Sequence, residues 1–141
     1  MNTKIHRAAG WFIIVLIICQ FVPMNRINPP ARDREKLPAD VRKILKKNCY
    51  DCHSLENHWP RSAYIAPLSW FVVHEIEKGR KALNFSVHIN RRTTPSNSSK
   101  PAVRTMLLSG ELSTHPQIPG IPAANLSGEE LRILVEWTGT R

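Results

Sequence analysis

Two cysteines and one histidine lie close enough along the chain to act on a single ligand. Cys49 and Cys52 are separated by two residues, and His53 follows directly. On one helical turn both thiols project to the same side, and the adjacent imidazole can point at whatever the sulfurs hold. C-x-x-C-H is the attachment signature of c-type haem. The spacing therefore predicts one covalent haem c, with His53 as the proximal iron ligand.

Other chemistry is open to the same cysteines. A Cys-x-x-Cys pair can be a redox dithiol, although no alternating strand and helix pattern surrounds this one. It can also supply half of a zinc site, but the sequence has no second cysteine pair at zinc-like spacing. The two thiols can also be simply buried or joined to each other. The histidines available to complete a zinc site are His53, His58, His74 and His115.

A second axial ligand for iron can come from the protein. Met106 is the first candidate, because it lies in a mostly apolar stretch far along the chain from the motif. His115 is the alternative. A core position would equally explain the methionine, and an exposed turn would equally explain the histidine. The remaining possibilities are an open or water-ligated site, His58, His74 and His88.

A haem pocket needs apolar walls, and the sequence offers several large apolar side chains near the motif. Each of them is equally explained as part of an ordinary core, and in so small a domain the two interpretations merge. The candidates are Leu45, Trp59, Tyr64, Ile65, Trp70, Phe71, Leu83, Phe85 and Leu108.

The N-terminal part of the chain predicts a membrane segment. Residues 8–22 are almost entirely apolar and follow basic residues. The run is shorter than the roughly 20 residues of a full span, which favours a signal peptide. No small-x-small cleavage pair lies between residues 20 and 28, however, which favours an uncleaved anchor. We therefore predict a single-pass transmembrane helix, with a removed signal segment as the alternative.

Composition changes along the chain predict three regions. Residues 1–23 form the anchor or signal segment. Residues 24–38 contain three prolines, Pro29, Pro30 and Pro38, among mostly polar residues, which is typical of an extended tether. Residues 39–141 form the c-type haem-binding domain.

Apolar periodicity predicts helices in the haem-binding domain. Val41, Ile44 and Leu45 share one helical face, with Asp40 as the expected cap. A second helix is expected from Ser69 to Lys78, ended by Gly79. Ser127 and Glu130 form a capping box ahead of an amphipathic C-terminal helix. The polar segment 93–100 is expected to be a loop, and residues 116–123 an irregular stretch. The fold class is therefore all-α, a small cytochrome c-like domain with an N-terminal transmembrane helix.

The charge balance bears on partners. The chain has 20 basic and 11 acidic residues, a formal net charge of +9. A basic surface favours an acidic-faced redox partner protein, although it can equally be a solvated surface without a dedicated partner. Nucleic acid is not expected, because the basic residues are scattered and no nucleic-acid motif accompanies them. The sequence contains no evident pair of catalytic carboxylates and no evident Ser-His-Asp set, so it gives no indication of an enzyme.

Four short stretches resemble the haem-binding domain family of membrane-anchored bacterial proteins. They are ILKKNCYDCHS at 44–54, IAPLSW at 65–70, EKGR at 77–80 and LNFS at 83–86. That family has a Met-Pro pair and, nine residues after the Met, a His-Pro pair; Met106 and His115 keep this spacing, while Leu107 replaces the first proline. The resemblance implies haem binding outside the cytoplasm and no defined reaction.

Motif and resemblance together predict a function. It is covalent c-type haem binding with one-electron transfer, in a single-pass protein of the bacterial inner membrane whose haem domain lies in the periplasm. The alternative is a haem-based sensor or a peroxide- or gas-binding protein with an open sixth site. A zinc or dithiol module without haem is a third hypothesis.

Overall fold

The computed structural model describes residues 2–30, 36–86, 99–113 and 116–139. Within these ranges all regular structure is helical, which confirms the all-α part of the predicted fold class. The α-helices are α1 (Asn2–Cys19), α2 (Ala39–Asn48), α3 (Tyr50–His53), α4 (Leu68–Ala82), α5 (Lys100–Ser109) and α6 (Gly128–Thr138). Two 3₁₀ helices cover Arg61–Tyr64 and Glu111–Ser113. The predicted loop at 93–100 lies outside the described residues as far as residue 98.

The predicted transmembrane helix is wrong. Among the described residues, no helix combines the length and the apolar character that a membrane crossing requires. Helix α1 has 18 residues, so it extends about 27 Å, against about 30 Å of hydrocarbon core. Lys4 and Arg7 occupy its first two turns. The same finding contradicts the predicted localisation, a single-pass inner-membrane protein with a periplasmic haem domain, and it gives no support to the predicted inner-membrane partner through residues 8–22.

Helices α2, α5 and α6 form the main core. Val41, Ile44 and Leu45 of α2 are buried, as their spacing predicted, and they pack with Val103 of α5 and Leu134 of α6. Because the three α2 side chains share one helical face, their burial turns that face of α2 towards the core it forms with α5 and α6.

The helix termini are partly as expected. The capping box of α6 is confirmed: the Ser127 hydroxyl accepts from the Glu130 amide at 3.2 Å, and the Glu130 carboxylate accepts from the Ser127 amide at 2.8 Å. The cap predicted for α2 is wrong, because Pro38 occupies the cap position and Asp40 lies inside the first turn. Proline preorganises a helix start through its fixed φ, and no side-chain cap is formed there.

Helix α4 continues beyond its predicted end. It runs to Ala82, so Gly79 lies within the helix instead of ending it. A Cβ built on Gly79 would lie 2.8 Å from the carbonyl oxygen of Cys52. The glycine is therefore explained by close approach of α4 to α3, which is a packing requirement that local sequence does not reveal.

Candidate functional site

The C-x-x-C-H residues lie at the junction of two helices. Cys49 follows α2 directly, its amide donating to the Leu45 carbonyl at 2.8 Å. The next turn, α3, begins at Tyr50, and the His53 amide donates back to the Cys49 carbonyl at 2.9 Å. This turn brings both cysteines and the histidine to the wall of one cavity of about 260 Å³.

The imidazole of His53 is oriented by backbone carbonyls. Its Nδ1 donates to the carbonyl oxygens of Gly79 at 3.0 Å and of Leu83 at 3.2 Å. In the neutral ring the lone pair then belongs to Nε2. Metal-ligating histidines commonly donate their second ring nitrogen to a carbonyl in this way, because the bond fixes tautomer and orientation. The geometry therefore suits an iron ligand.

The surroundings of the two thiols disfavour the redox-dithiol hypothesis. Burial raises the pKa of Cys49 to about 12, and the neighbouring Cys52 adds to this effect. Burial also raises the pKa of Cys52 to about 11, helped by Asp51 and Glu75 and opposed by Arg80. Both thiols are therefore protonated at neutral pH, whereas a reactive dithiol needs a lowered pKa on its attacking sulfur.

The zinc hypothesis requires further ligands beside the cysteines. In the described ranges, no group of three or more His, Cys, Asp or Glu side chains is arranged to hold a metal ion. His58 and His74 are exposed, and His115 lies outside the described residues.

The chain that follows His53 is held by Arg80 of α4. The guanidinium Nε donates to the Ser54 carbonyl at 2.9 Å, and Nη2 donates to the Asn57 side chain at 2.5 Å. The guanidinium carbon also lies 5.2 Å from the ring centroid of Trp59. Burial lowers the pKa of Arg80 from its ordinary value, but arginine remains a cation at any physiological pH.

The turn after α4 closes the other side of the motif. The Phe85 amide donates to the His53 carbonyl at 2.8 Å, and the Ser86 hydroxyl accepts from the Leu55 amide at 3.0 Å. The Phe85 ring stacks on Tyr50 with 5.3 Å between centroids. The end of α2, helix α4 and the turn after α4 therefore hold one helical turn between them, so the motif is built into the domain.

The far wall of the cavity is formed mainly by residues 116–123, which the sequence predicts only as an irregular stretch. Its conformation depends on Gly120, whose φ is +86°, and whose absent Cβ leaves room for Pro60. The Ser62 hydroxyl donates to the Pro119 carbonyl and holds the segment in place. The only sequence signal for this wall is the pair of isoleucines within the proline-rich stretch. The residues that line the cavity on this side are Leu112, Pro116, Gln117, Ile118, Ile121, Pro122, Ala123 and Ala124.

None of the nine side chains expected as pocket walls lines this cavity. Leu45 and Phe85 are buried in the main core, and Trp59 packs beside a smaller cluster around Ala63 and Ile76. Leu83 is half-buried against the main core, and its backbone carbonyl, not its side chain, contacts His53. The remaining five are exposed: Tyr64, Ile65, Trp70, Phe71 and Leu108. The structure thus brings together the predicted donor atoms but not the predicted walls.

The two candidates for the sixth iron ligand are Met106 and His115. Met106 is half-buried and lines a neighbouring cavity of about 390 Å³. That cavity shares Leu112 and Ala124 with the one that contains His53. His115 lies outside the described residues, and the identity of the sixth ligand stays a prediction.

The donor set fits haem. Two thiols and an imidazole of fixed tautomer share one cavity, and its opposite wall is mostly apolar. Ligand sites typically measure about 300–1,000 Å³, so the two adjoining cavities together provide space of the right order.

An all-helical fold with this donor set defines a small haem-binding protein. The haem-binding domain family matches residues 14–140, and the chain belongs to that family. The resemblance predicted from the motifs is confirmed, and membership supports haem as the cofactor. No curated protein and no solved structure is found to be similar to the chain.

Proposed function

We propose that the chain holds one haem c covalently through Cys49 and Cys52, with His53 as an axial iron ligand, and that it transfers single electrons. The observation that carries this proposal is the shared cavity of the three residues, in which His53 donates through Nδ1 to the Gly79 and Leu83 carbonyls. Nε2 is then the ring nitrogen suited to binding iron.

Each part of the site has a separate task. Bound haem supplies a one-electron iron centre. The two thiols hold the group, and the carbonyls of α4 keep the His53 imidazole in one orientation. Buried Ile118 and half-buried Ile121 place apolar surface at the cavity, and the apolar surroundings of a metal site influence the potential at which iron changes charge. An acidic-faced redox partner would suit the net charge of +9.

Covalent attachment is tested on protein made in cells competent for cytochrome c maturation. We expect haem to stay on the chain after denaturation in acid or detergent, and mass spectrometry to find it on the peptide containing Cys49 and Cys52. The double variant Cys49→Ser/Cys52→Ser should lose it completely. Cys19→Ser is the matched control and should keep it, because Cys19 lies in α1. Recovery of an unmodified Cys49–Cys52 pair from such cells would contradict the proposal.

The position of Met106 favours a second candidate function. Its side chain lines the neighbouring cavity instead of the one shared by the motif residues. An iron without a protein ligand on its sixth side binds small molecules, which is the property of a haem-based sensor or a gas-binding protein.

Substitution of Met106 distinguishes electron carrier from sensor. If the thioether binds iron, the oxidised protein has a weak near-infrared sulfur-to-iron band, and we expect Met106→Ala to abolish it and to permit carbon monoxide binding. Met24→Ala, a methionine before the domain, should leave both unchanged. Rapid carbon monoxide binding by the wild type, unaltered in Met106→Ala, would contradict the thioether and favour the sensor.

A further inference from the structure

The segment after α1 is bound to the haem-binding domain by side chains. Gln20 donates to the Ala66 carbonyl and accepts from the Ala66 amide, both at 3.0 Å. Arg26 donates to the Ala63 carbonyl at 3.0 Å. Three side chains of this segment, with Asn28 as the last, thus contact the stretch between α3 and α4.

Asn28 makes the contacts closest to the motif. Its Oδ1 accepts from Nε1 of Trp59 at 3.2 Å and from Nη2 of Arg80 at 2.6 Å. Its Nδ2 donates to the Asn57 carbonyl at 2.9 Å. One side chain therefore uses both its acceptor and its donor on residues that lie just after the motif and on α4.

Arg80 carries this contact to the axial histidine. It donates to the Ser54 carbonyl, directly after His53, and its neighbour Gly79 accepts from the His53 ring. A single turn of α4 therefore holds both the backbone after the histidine and the imidazole itself. A displacement of Arg80 would therefore act directly on the backbone next to the ligand that the proposed function assigns to iron.

Asn57 makes the arrangement sensitive. The residue is 4% exposed, and its Oδ1 accepts from Arg80. Its Nδ2 has no hydrogen-bond partner among the described residues. Loss of Arg80 from this position would leave a second buried polar atom of Asn57 without a partner, which is unfavourable. Asn28 provides the other acceptor for the same Arg80 nitrogen.

We infer that Asn28 is a positioning residue of the haem site, which acts through Arg80 on the backbone and ring of His53. The expected effect on iron rests on the proposed function, whereas the hydrogen bonds of Asn28 form within the chain and do not depend on haem. The segment of residues 20–28 is accordingly part of the site's framework. Its role is to set the ligand geometry of His53 and therefore the electronic state of the iron.

Three variants of the full chain test this role. Asn28→Ala removes every contact of the side chain. Asn28→Asp keeps an acceptor for Trp59 and Arg80 while losing the donor to Asn57. Asn25→Ala is the control, because Asn25 is exposed and, within the described part of the chain, its side chain accepts from the nearby Ile27 amide alone.

Two readouts are compared across the variants. Hydrogen exchange of the Leu55 and Phe85 amides reports on the backbone around His53 with or without haem. We expect Asn28→Ala to accelerate the exchange of these amides at least about fivefold, which is the factor expected from the loss of one hydrogen bond of ordinary strength. The electron paramagnetic resonance spectrum of the ferric protein reports on the axial ligand, and it should shift in Asn28→Ala and return towards wild type in Asn28→Asp.

The outcomes separate this inference from the proposed function. If Asn28→Ala matches Asn25→Ala in both readouts, the positioning role is wrong even when haem is attached. A shift that Asn28→Asp does not reverse also overturns it, because the acceptor would not be the cause. If the wild type carries no covalent haem, the proposed function fails, and unaccelerated exchange in Asn28→Ala would then overturn the inference separately.

Discussion

His53→Ala should change the absorption spectrum of the haem protein completely in the region that reports axial ligation. The variant lacks the imidazole that we assign to iron, while Cys49 and Cys52 remain available for attachment. Without the ring, the Leu83 carbonyl loses the hydrogen bond from His53. The Gly79 carbonyl still accepts from the Leu83 amide at 2.9 Å. We therefore expect only about 1 kcal/mol of lost stability in the haem-free chain.

The two effects of this substitution can be measured separately. Urea unfolding of the haem-free protein gives the structural contribution, and the ferric and ferrous spectra give the contribution at iron. His74→Ala is the matched control, since His74 is an exposed histidine of α4. A wild-type spectrum in His53→Ala would exclude this histidine as a ligand, whatever the unfolding result.

The parts of the structure that sequence predicted best are local ones. The C-x-x-C-H spacing places its three residues on one turn because helical geometry over five residues leaves little choice. The capping box at Ser127 and the buried face of α2 follow from contacts within three or four positions. Such features need no knowledge of the rest of the chain.

The parts that sequence did not predict depend on contacts between distant segments. The wall around Ile118 forms only because Gly120 admits Pro60, which lies 60 residues earlier. Glycine often ends a helix, so the sequence predicts that α4 ends at Gly79, whereas the helix continues to Ala82. Glycine is required at this position because Cys52 of α3 lies against it. The N-terminal segment was assigned to a tether from its prolines, which carry no information about the bonds of Asn28.

Gly79 makes the strongest case for a packing role, because two opposing effects meet there. Alanine is favoured over glycine within a helix by about 1 kcal/mol, so propensity alone predicts that Gly79→Ala stabilises α4. The added Cβ would lie 2.8 Å from the backbone oxygen of Cys52, closer than real contacts allow. A backbone atom cannot rotate away as a side chain can, so α3 and α4 must separate.

Gly79→Ala is therefore expected to lower the free energy of unfolding by about 1–3 kcal/mol, the usual cost of overpacking. The separation should also lengthen the 3.0 Å bond from His53 to Gly79, so the haem protein should show an altered ferric spectrum as well. Urea denaturation and absorbance measure the two effects. Gly128→Ala is the control, because nothing lies within 4 Å of its added Cβ, and it should not lower the free energy of unfolding by more than about 0.5 kcal/mol. If Gly79→Ala is stabilised instead, helix propensity outweighs the contact, and the close approach of α4 to Cys52 is not what requires glycine.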